Sequence, residues 1–286
     1  VRRALVLGGG GITGVAWELG LLAALHAGGV PVADVDLVVG TSAGSVVGAQ
    51  LTSGVPLDRL VERQLEPPES SMELYAEIDV QAMGGAWMAS AQQARDPEDF
   101  RARMGAAALA ADTVPERERI EVIRSRLPSA DWPAVRLLIT AVDTSTGKLV
   151  VFDRDAGVPL PLAVAASCAV PLVWPPVTID GRRYMDGGIR SVTNADLAAV
   201  HDAVLVLAPI LWNDLGPLMP GLDSELRQLP PDAKVVVVSP DEASTEAIGP
   251  NPLDPRRRPG AARAGLTQGA GVVERASQLW APAPPA

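Results

Sequence analysis

A strand, a glycine turn and a helix follow one another twice at the start of this chain, and that repetition restricts the fold more than any other feature. Arg3-Ala4-Leu5-Val6-Leu7 reads as a buried strand, stopped by Gly8 to Gly11. Over residues 14–27, Val15, Leu19, Leu22 and Leu25 recur at helical spacing, and Gly28-Gly29 supplies the stop. Asp36-Leu37-Val38-Val39 is a second short strand. It runs into Gly40-Thr41-Ser42-Ala43-Gly44 and then a helix from about Ser45 to Ser53-Gly54. Strands joined through helical crossovers lie parallel. The reading is therefore an α/β fold, with a mostly parallel central sheet and helices on both faces.

The rest of the chain fits one domain of 286 residues. A further helix is expected at 57–65. Residues 67–133 hold few strand-like runs and read as a mainly helical insertion, with helices at 97–110 and 115–127. A strong strand follows at 135–142 and a shorter one at 148–152. Thr178-Ile179 and Arg183-Tyr184-Met185 flank Asp180-Gly181, a hairpin signal. Later core strands are expected at 203–207 and 234–238. Between them, residues 209–220 carry Trp212, Leu215, Leu218 and Met219, as a buried loop or an apolar flap would. Residues 250–286 read as a Pro/Arg-rich connector and one helix over 261–280 with a frayed tail.

Charge and composition exclude some functions. A net charge of -10 disfavours nucleic-acid binding, which rests on positive charge. Arg256, Arg257, Arg258 and Arg263 form a local basic cluster that suits a solvated linker or helix cap, or contact with anionic lipid. Cys168 is the single cysteine, so no internal disulfide forms, and a reducing, cytoplasmic compartment is expected, with peripheral membrane contact left open. Cys168 itself reads as a packed small residue. The chain opens on Val1 rather than Met, as a trimmed one would, and shows neither a signal peptide nor an apolar run of spanning length.

Gly40-Thr41-Ser42-Ala43-Gly44 fits Gly-x-Ser-x-Gly between a strand and a helix. A serine on that tight turn has its hydroxyl pushed outward, and flanking glycines let strand and helix approach closely. Ser42 is the candidate nucleophile, against the plainer reading of a helix-capping serine. A base is harder to find. The only histidines, His26 and His201, lie near a helix end and a strand entry, away from the strand C-terminal ends where catalytic groups gather. Among carboxylates, Asp186 in Tyr184-Met185-Asp186-Gly187-Gly188 fits either a placed base or an ordinary Asp-Gly turn. Asp143 and Asp180 look more like turn residues.

The first glycine run also satisfies Gly-x-Gly-x-x-Gly at Gly9, Gly11 and Gly14. A dinucleotide site would need an acid at the end of the second strand. That strand ends instead in the serine turn, with Asp34 and Asp36 at its other end. In an ester hydrolase the loop amides can face the oxygen that becomes negative in the tetrahedral intermediate. Gly10 and Gly11 are the first candidates for that oxyanion hole, and Gly9 the next.

Taken in order, Val6-Leu7-Gly8-Gly9-Gly10-Gly11-Ile12-Thr13-Gly14, the Ser42 turn and Asp186-Gly187-Gly188 resemble the patatin-like phospholipase family. Ala166-Ser167-Cys168-Ala169-Val170-Pro171, then Pro176-Val177 and Asp180-Gly181, look like its segment leading to the aspartate. The resemblance covers about residues 3–190. It implies a three-layer α/β/α sandwich, a Ser42–Asp186 dyad with Asp186 as general base, and the Gly9 to Gly11 backbone as oxyanion hole. It implies no metal or other cofactor, and a lipid or other acyl-ester substrate. Acyl transfer by the same dyad, or a silent lipid-binding or interaction protein, are the alternatives. Thr13 stands where the family often has Arg or Lys, which weakens expectations about headgroup binding or loop anchoring.

Overall fold

The computed structural model describes residues 1–211 and 218–280. Five strands form a parallel core in the order β3 (Arg136–Asp143), β2 (Leu37–Gly40), β1 (Arg3–Leu7), β7 (Ala203–Leu207) and β8 (Lys234–Val238). Beyond β3 the sheet turns antiparallel, through β4 (Leu149–Phe152) and the hairpin of β5 (Val177–Ile179) and β6 (Arg182–Asp186). Asp180 and Gly181 make that hairpin turn with φ of 49° and 75°. Both central residues thus have the positive φ that a tight two-residue hairpin needs.

Alternate residues of each strand face opposite ways, so the sheet carries a core on each side. Leu5, Leu7, Val38, Leu205 and Leu207 face one layer, built from α1 (Gly11–Ala27), α2 (Ala43–Leu51), α7 (Leu160–Ser167) and α10 (Arg258–Ala270). Ala4, Val6, Val39, Val204 and Val206 face the other, which includes α8 (Leu222–Leu226) and the 3-10 turn at Ala195–Ala198. Helix α1 is buried almost all round, which its apolar residues tolerate on every face. It packs against α10 so closely that a Cβ at Gly265 would stand 2.2 Å from the Trp17 carbonyl oxygen.

Between α3 (Leu57–Leu65) and β3 come α4 (Val80–Gln93), α5 (Pro97–Ala110) and α6 (Glu116–Arg126). Helix α5 begins under Asp96, whose side chain accepts from the Asp99 N–H at 2.8 Å. Helix α4, not expected from the sequence, is capped in the same way by Asp79.

The C-terminal helix differs from expectation. It is two helices, α10 and α11 (Val273–Trp280), broken at Gly271-Val272. Gly269 and Gly271 weaken the helix there. Helix α10 lies on α1, whereas α11 turns to contact β7 and β8, burying Ala276, Leu279 and Trp280. The basic cluster is also dispersed. Arg256 pairs with Asp254 and Arg257 donates to the Glu246 carbonyl, while Arg258 is buried against α3. Most of the apolar flap expected at 209–220 lies outside the described residues. No helix among the described residues is long and apolar enough to cross a membrane.

Candidate active site

The sheet brings three chain segments to one place. β1 and β2 are parallel neighbours with Leu7 opposite Gly40, so the glycine loop and the serine turn leave the sheet side by side. β1 also pairs with β7 on its other flank, and connections therefore diverge around it. Such a divergence opens a crevice at the strand C-terminal ends. β6 enters from the antiparallel side with Asp186 opposite Ala141 of β3, and the Asp186 N–H donates to Ala169 O at 2.9 Å.

Ser42 occupies a strained turn. Its φ of 52° and ψ of -114° put a residue with a side chain in the left-handed half of backbone space. The turn is held from several sides. The Ser42 N–H donates to Ser167 Oγ at 2.9 Å, and Ser42 O accepts from Ser45 Oγ at 2.7 Å and from Cys168 Sγ at 3.3 Å. Beneath it, the Thr41 and Thr140 hydroxyls are 2.9 Å apart, and Asn194 Nδ2 donates to Thr41 Oγ1 at 3.0 Å. Gly44 is required by close approach: a Cβ there would meet Leu7 O at 2.0 Å. Gly44→Ala should lower stability by about 1–3 kcal/mol through overpacking, seen as a lower urea midpoint at unchanged slope.

Asp186 is buried, and burial raises its carboxyl pKa to about 7, with the Ser42 hydroxyl and the Gly188 N–H pulling the other way. Its Oδ1 accepts from Gly188 N at 2.7 Å, whereas Oδ2 is buried with no directed hydrogen bond. The Ser42 hydroxyl is thus among the groups that act on the carboxyl, and one acceptor oxygen of Asp186 is unused. The rivals are placed differently. Asp143 Oδ1 accepts from the Ser145 hydroxyl and from the Ser145 and Thr146 N–H groups, and Asp180 makes the hairpin turn. His26 is exposed, and His201 is buried ahead of β7 with its ring Nδ1 3.3 Å from Ala198 O.

The three loop glycines are not equivalent. The Gly9 N–H is already engaged by Val192 O at 2.8 Å, which removes it as a free donor in this state. Among the described residues no hydrogen bond engages the N–H of Gly10 or Gly11, and Gly11 lines the same pocket as Ser42. Gly8 is anchored twice, to Leu207 O at 2.9 Å and to Glu18 Oε1 at 3.0 Å. Glu18 is fully buried beneath the loop, and burial drives its carboxyl pKa well above the usual range against the pull of the Gly8 N–H. Thr13 fixes the loop's far side, donating from N and Oγ1 to Pro252 O at 3.1 and 3.2 Å.

A model of the patatin-like phospholipase family matches residues 5–199, a stretch that contains the loop, the serine turn and Asp186. This chain belongs to that family. No curated protein matches it. Among solved structures it is similar to VipD from Legionella pneumophila, at 14% identity over 96% of this chain and 67% of that one, with a TM-score of 0.49. It is also similar to the type III effector protein ExoU, at 15% identity and a TM-score of 0.42, covering 96% of this chain and 53% of that one. The chain therefore spans about half the length of ExoU.

In this member of the family, two features of the site were not legible as chemistry in the sequence. Ser167 is the acceptor for the strained Ser42 N–H. Ala43, the residue after the serine, lines the pocket, and no hydrogen bond engages its N–H among the described residues. The small-residue run around Cys168 was the available signal for the first, since only short side chains allow α7 so near the serine turn. Ser167→Ala should cost about 1–3 kcal/mol by leaving a buried N–H unpaired. Thermal unfolding of the variant beside the parent chain measures that loss.

Proposed function

We propose that the chain is a serine acyl-ester hydrolase acting on lipid or phospholipid esters through a Ser42–Asp186 dyad. The observation that carries this reading is the strained Ser42 together with Asp186, a buried aspartate whose carboxyl is pushed up to about 7 by burial. A carboxylate of ordinary pKa is a poor proton acceptor near neutrality, and burial of Asp186 offsets that weakness.

In the first step Ser42 Oγ attacks the ester carbonyl carbon while its proton passes to Asp186 Oδ2. The carbonyl π pair moves to oxygen, and the N–H groups of Gly10, Gly11 and Ala43 receive the oxyanion. Collapse breaks the bond to the leaving alkoxide, which takes the proton back from Asp186 and departs as an alcohol. Water then attacks the acyl-enzyme, Asp186 accepts its proton, and collapse releases the fatty acid and returns that proton to Ser42. The pocket at Ser42 combines apolar lining from Leu74, Val170, Trp174 and Leu253 with the charged Glu73, Arg119 and Arg126, which suits an ester carrying both an acyl chain and a polar group. Acyl transfer uses the same first half with another acceptor in place of water.

The test is product analysis on a panel of phospholipid, glyceride and short-chain esters, with and without added alcohol or lysolipid. Free fatty acid as the main product supports hydrolysis. Ester products in excess of free acid would reassign the chain as an acyltransferase, and no turnover of any ester would leave a binding protein.

A further inference from the structure

Beside the Ser42 pocket lies a second cavity of about 170 Å³, and the two share Ile12, Glu73 and Arg126 as lining. Besides Arg63, whose carbonyl accepts from Arg258, three arginines line this joined space. Arg119 and Arg126, two turns apart on one face of α6, line the Ser42 pocket, and Arg258, the first residue of α10, lines the larger cavity.

Their partners are few. Arg126 gives Nε and Nη2 to the Glu73 carboxylate at 2.8 and 2.6 Å, with both side chains buried. Arg258 donates to two neutral oxygens, Arg63 O at 2.6 Å and Gln64 Oε1 at 3.3 Å, and its Nη1 is buried without a partner. Arg119 is 4% exposed and lies over the Trp174 ring at 3.8 Å from its centroid. Its Nε and Nη1 are buried with no hydrogen bond. Burial, and then repulsion from Arg126, push the Arg119 guanidinium down to about 9. The acids at hand are Glu73 and, lining the larger cavity, Glu66. Buried guanidinium donors without acceptors are costly, and a tetrahedral oxyanion is the ligand that satisfies several at once.

We propose that Arg119, Arg126 and Arg258 form a binding site for the phosphate group of an acyl-ester substrate, and that Glu73 occupies this site in the resting chain. The proposal rests on the reading of Ser42 as nucleophile, since it places the phosphate beside the scissile ester. A carboxylate serves Arg126 alone, whereas a phosphate offers further oxygens to the unused donors of Arg119 and Arg258. Glu73 also belongs to a stretch without regular structure, between the 3-10 turn Pro68–Ser70 and α4, and its neighbour Leu74 lines the Ser42 pocket. That pocket holds only about 20 Å³ in the resting state. Exchange of Glu73 for phosphate therefore draws Leu74 away and opens the space an ester needs.

Binding is measured first by calorimetry in the Ser42→Ala chain, with inorganic phosphate and with dihexanoyl phosphatidate below its micelle concentration, at fixed ionic strength. Adding Glu73→Gln should tighten binding of at least one probe about tenfold, a difference of about 1.4 kcal/mol. Arg119→Gln should weaken it by a similar factor, and both changes should act less on uncharged dihexanoylglycerol than on the phosphate-bearing probes. Binding of both probes assigns the site to phosphate in general, and binding of phosphatidate alone assigns it to the lipid headgroup. No binding of either probe by a folded Glu73→Gln chain, checked by circular dichroism, would overturn the proposal. Should Glu73→Gln not fold, phosphate binding unchanged by Arg119→Gln overturns it equally. With Ser42 intact, the ratio of kcat/KM for phosphatidate over dihexanoylglycerol should rise in Glu73→Gln and fall in Arg119→Gln. Binding without any hydrolysis sinks the hydrolase reading and leaves the anion site, while hydrolysis without anion binding does the reverse.

Discussion

Ser42→Ala is expected to lower ester hydrolysis by roughly 10⁴-fold or more while the chain stays folded. The size follows from the mechanism, because no second nucleophile is placed to replace the lost hydroxyl. Thr41 Oγ1 lies within hydrogen-bonding distance of Thr140 and Asn194, Ser45 Oγ donates to Ser42 O, and burial raises the Cys168 thiol pKa, which keeps it protonated. Folding should survive because the contacts that fix the turn belong to the Ser42 backbone rather than to its hydroxyl. Initial rates on p-nitrophenyl esters, with circular dichroism as the control, measure both. A folded variant retaining parental rates would remove Ser42 from the reaction.

Asp186→Asn should separate activity from stability. Hydrolysis is expected to fall by about 10²–10⁴-fold, the usual worth of a positioned base. In the parent chain, kcat/KM should climb with pH through an apparent pKa near 7, because only ionised Asp186 accepts the Ser42 proton. Stability moves in the opposite sense. The folded carboxyl holds its proton up to about 7, whereas an unfolded one releases it near the usual carboxylate value of roughly 4. Between those values the folded state binds more protons, so stability falls as pH rises across that window, and the loss is complete above pH 7. Asparagine cannot ionise and its oxygen still accepts from Gly188. The variant should therefore be more stable than the parent at pH 8, by roughly 1–4 kcal/mol, and lose that advantage near pH 4. Urea midpoints at the two pH values test this, with the buried Glu18 cancelling between the two chains.

The elements that were legible in the sequence are those whose pattern has one physical reading. β7 and β8 are short runs rich in valine and leucine, and they fall where the sequence places them. Asp96-Pro97 announces a capped helix start, and α5 spans the expected residues. Helix α7 was missed because Leu160–Ser167 is apolar nearly throughout and shows no period. Helix α4 was missed because its two glycines and mostly exposed surface hide any stripe. Helix α1 starts at Gly11, three residues before the expected position, since its first turn is built from the glycine loop itself.

The site was legible to different depths. Ser42 stood out because its motif lay between a strand and a helix. Asp186 did not, since an Asp-Gly pair in isolation suits any turn, and only its order behind the other two motifs pointed to it. That Gly9 is committed to Val192 O depends on a strand-end contact across the fold, which no local pattern carries. The arginines beside the pocket were equally hidden. Arg258 read as part of an exposed basic run, yet its neighbours in sequence point elsewhere, and it shares a cavity with Arg126 only because α10 and α6 border the same space.

In the proposed reaction one buried carboxylate makes one serine hydroxyl reactive. Treatment with a fluorophosphonate, followed by intact-mass measurement and peptide mapping, addresses that directly. A single adduct at Ser42, formed in the parent chain and strongly slowed in Asp186→Asn, is the expected result. A chain that hydrolyses esters while carrying its adduct at another residue, or that labels equally fast without the Asp186 carboxylate, would contradict it.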